Sequence, residues 1–328
     1  MNLGDARQMD LAYPDRLPII PAATLRQYKV HDPLDTRFRA AARLLQALWR
    51  ESRQIPMGFY VNGKGRKRPL GSRLSAFASA AGANFLDPAI RRLAVREVAY
   101  REPGAMIDEA RLWSNMLSSM PLTFNLFSAL KLDRELAQAV VRALWPDLAQ
   151  EVCHIQFEHS PARGDLRFTA DATAFDVFLS CRDAQGAKTF IAIEVKYSEA
   201  MTEPEARGRE RYEELTEVCG LYEDPSDPSL RANPLQQLWR EHMLAERMVA
   251  NGLYDRGVFV CLAPQLNVSV QRACQTYKTK LVAPQGPCSF QSLTLEDMIG
   301  AIRETGATEF AAALYERYCD FTPVHQLI

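Results

Sequence analysis

The stretch Phe190–Glu199, FIAIEVKYSE, places four apolar residues before Glu194 and then separates that acid from Lys196 by a single valine. A short apolar run rich in isoleucine reads as a buried β-strand. Side chains alternate between the two faces of a strand. Glu194 and Lys196 therefore share one face, and Ile191, Ile193 and Val195 point to the other. Burying either charge alone is expensive, so the two must pair, bind a metal or sit at a strand edge.

The run is the second arm of a hairpin. TAFDVFLSCR (173–182) reads as a strand, DAQG (183–186) as a turn and KTFIAIEVKYS (188–198) as the returning strand. A turn centred between Ala184 and Gln185 sets Asp176 opposite Ile193, or opposite Glu194 if one residue bulges. Only the second register gathers Asp176, Glu194 and Lys196 on one face, because a slip of one residue turns every side chain over. Two carboxylates suit Mg²⁺ (or Mn²⁺), with the carbonyl of Val195 as a further oxygen. Such an ion activates water at a phosphate, and Lys196 would orient or help deprotonate that water. A purely structural ion pair is the competing reading. In a chain with 40 acids and eight lysines, composition alone yields about one acid-x-Lys triplet, and this chain has one. The context favours a site: the triplet ends an apolar strand and has an aspartate across the turn.

The elements around the hairpin alternate in type. Residues 36–52 and 86–102 read as helices, and 57–73, MGFYVNGKGRKRPLGSR, as a basic, glycine-rich loop or hairpin. Residues 1–35 are expected to form an extended arm. The segment 110–130 reads as a helix interrupted near Pro121, and 132–145 as a helix stopped by Pro146. Strands are expected at 151–160, at 256–264 and weakly near 288–294, and helices at 203–218 and 235–252. Strands set among helices imply an α/β fold with a mixed central β-sheet.

The hydrophobic fraction of 47% and charged fraction of 24% are those of an ordinary globular protein. No run of 18 apolar residues predicts a membrane span, and no basic-then-apolar leader opens the chain, so a cytoplasmic protein is expected. The seven cysteines form no CxxC pair and the five histidines no HExxH, which argues for reduced thiols and against a zinc site. The net charge of −1 hides an asymmetry: residues 1–110 hold 18 Lys/Arg against 11 Asp/Glu, leaving the rest acidic. A basic N-terminal third on an acidic body suggests a division of labour. Residues 1–107 are expected to form a mainly helical, basic region that binds nucleic acid, and 108–328 the catalytic domain. Lys64, Arg66, Lys67 and Arg68, among glycines, suit contacts to a phosphate backbone. Phe59 and Tyr60 could stack on bases, although packing in the core is the favoured expectation for them.

FDVFL, a turn and IAIEVKYSE together resemble the PD-(D/E)xK nuclease superfamily, with its restriction-endonuclease-like fold. NMLSSMPLTFNLFSAL (115–130) extends the resemblance to a group of bacterial restriction-endonuclease-like proteins, over about residues 108–265. The resemblance implies that Asp176 is the metal-binding aspartate, Glu194 the second acid and Lys196 the lysine. Phe175 stands where the motif has proline. Many members carry a further acid upstream, for which Glu158 is the candidate, ahead of Asp171. Some place a glutamine on the helix after the lysine strand. Gln236 or Gln237 fits, with Gln236 carried as the site residue and Arg240 one turn on to reach a phosphate. Asn115 and Asn125 are read as helix caps. The function expected is metal-dependent hydrolysis of phosphodiesters, in DNA, with a homodimer if both strands are cut. The rival is a catalytically silent nucleic-acid-binding or scaffold protein on the same fold. No phosphate-loop, Ser-His-Asp or cofactor fingerprint points to other chemistry.

Overall fold

The computed structural model describes residues 17–202 and 204–328, so the first half of the expected N-terminal arm lies outside the described residues. Part of the remainder is helical, as α1 (Ala22–Gln27). α2 (Arg37–Ser52), capped by Thr36, then leads to a hairpin of β1 (Met57–Val61) and β2 (Lys67–Leu74). Next come α3 (Ala76–Ala81), α4 (Pro88–Ala99), α5 (Glu109–Ser114), α6 (Ser119–Leu132) and α7 (Arg134–Leu144). The central strands are β3 (Glu151–His159), β4 (Phe175–Arg182) and β5 (Lys188–Val195). After α8 (Glu210–Val218) and α9 (Gln236–Ala250), β6 (Arg256–Ala263), α10 (Val268–Lys278) and β7 (Cys288–Thr294) complete the sheet. The chain ends in α11 (Leu295–Glu304), α12 (Thr308–Tyr318) and α13 (Thr322–His325).

The five strands β3-β4-β5-β6-β7 lie in sequence order, the first three antiparallel and the last three parallel. This is the mixed α/β sheet expected. Parallel neighbours need a crossover, which α8 with α9 and then α10 supply. Strand alternation divides the core. Val177, Leu179, Ile191, Ile193, Val195, Val258 and Val260 face a layer that includes α2, α6, α7, α11 and α12. Phe178, Phe190, Ala192, Phe259 and Cys261 face α8, α9 and α10. The first cluster runs without a break from Leu17 through α2 and α4 to Val324, so the hydrophobic core is continuous across residue 107. No helix among the described residues is long and apolar enough to cross a membrane.

The interruption in 110–130 falls at 115–118, where Asn115 caps α5, and not at Pro121. Pro121 is the third residue of α6, where an amide N–H has no intrahelical acceptor to lose. Asn125 is no cap: it is buried within α6, accepts the Leu86 N–H at 2.8 Å and donates to Asn84 O and the Tyr318 hydroxyl. α8 begins at Glu210 and not near 203.

His242, on α9, is buried, with Nδ1 3.1 Å from the Tyr277 hydroxyl and Nε2 3.3 Å from Cys288 O. Burial lowers its pKa to about 4, below the usual 6.5. Between these values the unfolded chain takes up a proton that the folded one refuses, so stability is lost as pH falls from about 6.5 to 4. By pH 5 this amounts to roughly 2 kcal/mol. His242→Gln is expected to flatten that slope in urea denaturation at pH 7 and pH 5. Parallel losses in variant and wild type would show that another group sets the acid sensitivity.

Candidate active site

The hairpin turn spans residues 183–187. Asp183 closes it: its N–H donates to Ala187 O at 3.1 Å, and its Oδ1 accepts the Gln185 and Ala187 N–H groups at 2.9 Å each. Gly186 takes the left-handed conformation the turn needs, at φ +82°. The turn is thus centred on Gln185, and the ladder runs from Arg182 opposite Lys188 to Val177 opposite Ile193. Asp176 falls opposite Glu194 with no bulge. On the other side, Phe157 faces Val177 and His159 faces Phe175, which sets Glu158 opposite Asp176. A register shift between Val152 and His154 produces that alignment. Glu158, Asp176 and Glu194 thus occupy one row across three adjacent strands. Glu158 holds φ +50°, a left-handed conformation uncommon outside glycine. Its carbonyl is fixed by the Arg163 guanidinium.

The row is electrostatically crowded. Desolvation pushes the Asp176 carboxyl well above the usual range, and Glu194 and Glu158 push it further; Lys196 and the Val195 N–H, 2.8 Å from Oδ2, pull the other way and lose. Asp176 keeps some surface open, so the effect comes from surrounding protein and like charge and not from full enclosure. Glu158 is raised to about 7, by burial first and Glu194 second. Lys196 is buried, with Nζ 2.7 Å from Glu194 Oε1. Burial alone would depress its pKa, but Glu194, Glu241 and Glu199 hold it above its ordinary value.

Helix α9 lies over this row and contributes Gln237. Its Nε2 donates to Glu194 Oε1 at 2.7 Å and to Glu241 Oε1 at 2.9 Å, and its Oε1 accepts from Lys196 Nζ at 2.7 Å. Gln236, carried from the sequence as the site residue, is turned away. Its amide bonds the backbone of Ala206 at 2.8 and 3.3 Å, because adjacent helical residues point about 100° apart. Glu241 was missed by sequence reasoning, although its i+4 spacing from Gln237 is the signal that could have found it. It is buried, its Oε2 has no hydrogen-bond partner among the described residues, and burial followed by Glu194 raises its pKa well above normal.

Arg240 donates from Nη1 to Thr173 Oγ1 at 2.8 Å and lies 3.7 Å from Asp171. Lys64, Arg66, Lys67 and Arg68 are exposed near the tip of the β1–β2 hairpin, a separate two-stranded sheet. No hydrogen bond or ion pair among the described residues joins them to the carboxylate row. Phe59 and Tyr60, expected in the core, are 56% and 37% exposed on β1. The reason is that β1 belongs to a separate two-stranded sheet whose outer half, residues 59–61, is left exposed among the described residues. The Arg68 guanidinium lies 5.3 Å from the Tyr60 ring centre.

A family model described as the PD-(D/E)XK nuclease superfamily matches residues 33–320. The chain belongs to this superfamily. The match takes in α2, the hairpin and α4 as well as the segment from 108 onward, in keeping with the continuous core. No curated protein and no solved structure matches the chain.

PD-(D/E)XK nucleases use divalent metals. The residues here fit such an ion: the donors are hard carboxylate oxygens, they repel one another, and Glu241 Oε2 is a buried acceptor left unpaired. Among the described residues no three His, Cys, Asp or Glu side chains form a ready metal cage. The fit is the kind in which one or two carboxylates hold the ion and water or phosphate completes the shell. Asp176 and Glu194 would hold it. The Val195 N–H donates to Asp176 and orients it, and Val195 could reach the ion only through its carbonyl oxygen.

Proposed function

We propose that the protein is a metal-dependent nuclease that hydrolyses phosphodiester bonds in DNA. The observation that carries the reading is the row Glu158–Asp176–Glu194 with the Lys196 ammonium paired to Glu194 at its buried end. Row and ammonium make an arrangement that is unfavourable alone and useful next to a cation and a phosphate. When bound, Mg²⁺ or Mn²⁺ lowers the pKa of a coordinated water and offsets phosphate charge. The protein's own contribution is positional. Asp176 is oriented by the Val195 N–H, and Lys196 is oriented by Glu194 and Gln237. With its pKa raised, Lys196 is an ammonium at neutral pH and serves as a donor to developing negative charge. Glu158, raised to about 7, is suited to exchanging a proton near neutrality. Lys64, Arg66, Lys67, Arg68 and Arg240 would hold the nucleic-acid backbone, and exposed Phe59 and Tyr60 are available to stack on bases.

The test is incubation with plasmid, linear and single-stranded DNA in Mg²⁺, Mn²⁺ or EDTA. Cleavage in either metal and none in EDTA is expected. Binding to all three DNAs with no cleavage in any metal would replace the nuclease by a silent binding protein on the same fold.

A further inference from the structure

Beside the carboxylate row lies a cleft of about 540 Å³, lined by Asp171, Thr173, Arg207, Arg209, Tyr212, Arg240 and Glu241 among others. It is continuous with the row through Glu241, which shares Gln237 with Glu194 and Lys196. Three arginines and two carboxylates line it, Glu241 at the side of the row and Asp171, whose oxygens are fully engaged. Asp171 accepts from Thr169 Oγ1 at 2.7 Å, from the Thr173 N–H at 3.0 Å and Oγ1 at 2.7 Å, and from the Tyr212 hydroxyl. These donors hold its pKa below the usual carboxylate range despite burial. Asp171 thereby fixes the position of Thr173 and Tyr212, and its single charge, 3.7 Å from Arg240 Nη1, offsets only one of the three guanidiniums.

Arg240 is thereby set in place. Nη1 is bonded to Thr173 and lies 3.7 Å from Asp171 Oδ2, the guanidinium carbon lies 6.0 Å from the Tyr212 ring centre, and Nε is buried without a hydrogen-bond partner among the described residues. A guanidinium held on one edge by a hydroxyl and a distant carboxylate keeps donor capacity for a closer anionic partner. Arg207 and Arg209 are exposed and line the same cleft, with Arg209 tethered to Ala170 O at 3.2 Å. The sequence offered Arg240 alone; the other two arginines reach the cleft from the segment before α8.

We infer that this cleft binds a phosphate of the nucleic-acid strand whose neighbouring linkage enters the carboxylate row, with Arg207, Arg209 and Arg240 as its ligands. The inference rests on the nuclease reading for its choice of strand, and on the arginine geometry for the site itself. The phosphate belongs either to a strand terminus or to the internal chain, and both present the same oxygens to the arginines.

The experiment measures binding of a fluorescent single-stranded 12-mer in EDTA by anisotropy across a salt series. One oligonucleotide carries a 5′-phosphate, one a 3′-phosphate and one neither. The double variant R207A/R209A, whose changes lie on the exposed rim, is expected to bind at least tenfold more weakly. Its log–log salt slope should be shallower by up to about 1.4 units, near 0.7 per lost contact on a single strand. Arg240→Lys, which keeps the charge and loses the fork, is expected to bind several-fold more weakly. A preference for one phosphorylated end that both variants abolish identifies a terminal phosphate. Equal binding of all three oligonucleotides, equally weakened, identifies an internal one. Wild-type affinity and an unchanged slope in the double variant would overturn the site. Mn²⁺ binding by calorimetry separates the two proposals. If the wild type takes up no Mn²⁺ and cuts nothing while R207A/R209A still weakens binding, the nuclease reading fails and the phosphate site stands. If cleavage is metal-dependent and the variants bind normally, the reverse holds.

Discussion

Asp176→Asn, Glu194→Gln and Lys196→Gln are each expected to lower metal-dependent cleavage by two or more orders of magnitude. Each tenfold loss corresponds to about 1.4 kcal/mol of activation free energy, and loss of charge at a metal or a developing anion removes several. The three substitutions differ in their effect on the fold. Asparagine at 176 retains an oxygen for the Val195 N–H at 2.8 Å and relieves repulsion from Glu194 and Glu158. The melting temperature of Asp176→Asn in EDTA should therefore equal or exceed that of the wild type. Lys196→Gln removes the cation beside buried Glu194 and is expected to melt lower. Near-normal, metal-dependent cleavage by folded Asp176→Asn or Glu194→Gln protein would refute the assigned site. Kinetics and thermal melts on the same preparations separate lost chemistry from lost structure.

The second large effect concerns the β1–β2 hairpin. Replacing Lys64, Arg66, Lys67 and Arg68 together by alanine is expected to weaken DNA binding and to flatten its log–log salt slope by up to about four units, since each phosphate contact releases about one counterion. The fold should tolerate the change. All four residues are exposed, and the turn is closed by Asn62, whose Oδ1 accepts the Lys64 and Arg66 N–H groups at 3.0 Å whatever side chains those residues carry. Arg68 makes the only ion pair formed by these four among the described residues, a long one of 3.9 Å to Asp32, and exposed pairs of this kind contribute little to stability. Mn²⁺ binding at Asp176 and Glu194 should be unchanged. Wild-type affinity and salt slope in the quadruple variant would exclude the hairpin as a contact and move the DNA path to the arginine-lined cleft.

The sequence alone determined the sheet-forming hairpin and the face shared by Glu194 and Lys196. Both follow from local periodicity: apolar residues 190–193 demand burial, and a strand alternates its side chains by construction. It also determined the class, because strands interleaved with helices leave few architectures. The exact partner of Asp176 was not legible, since it hangs on a turn centred on Gln185 and not half a residue earlier, and Asp183 and Gly186 set that centre through backbone bonds. Glu158 could be nominated, but only the register shift in β3 set it opposite Asp176. The choice between Gln236 and Gln237 rested on the rotation of α9 about its axis, which is fixed by Leu238, Trp239 and Met243 packing into the second core. Glu241 was legible only as the i+4 neighbour of Gln237, and the meeting of Arg207, Arg209 and Arg240 in one cleft was beyond local reading altogether. The cleft arises where α9, the segment before α8 and the loop before β4 converge from positions tens of residues apart, and such long-range packing leaves no local periodicity to read.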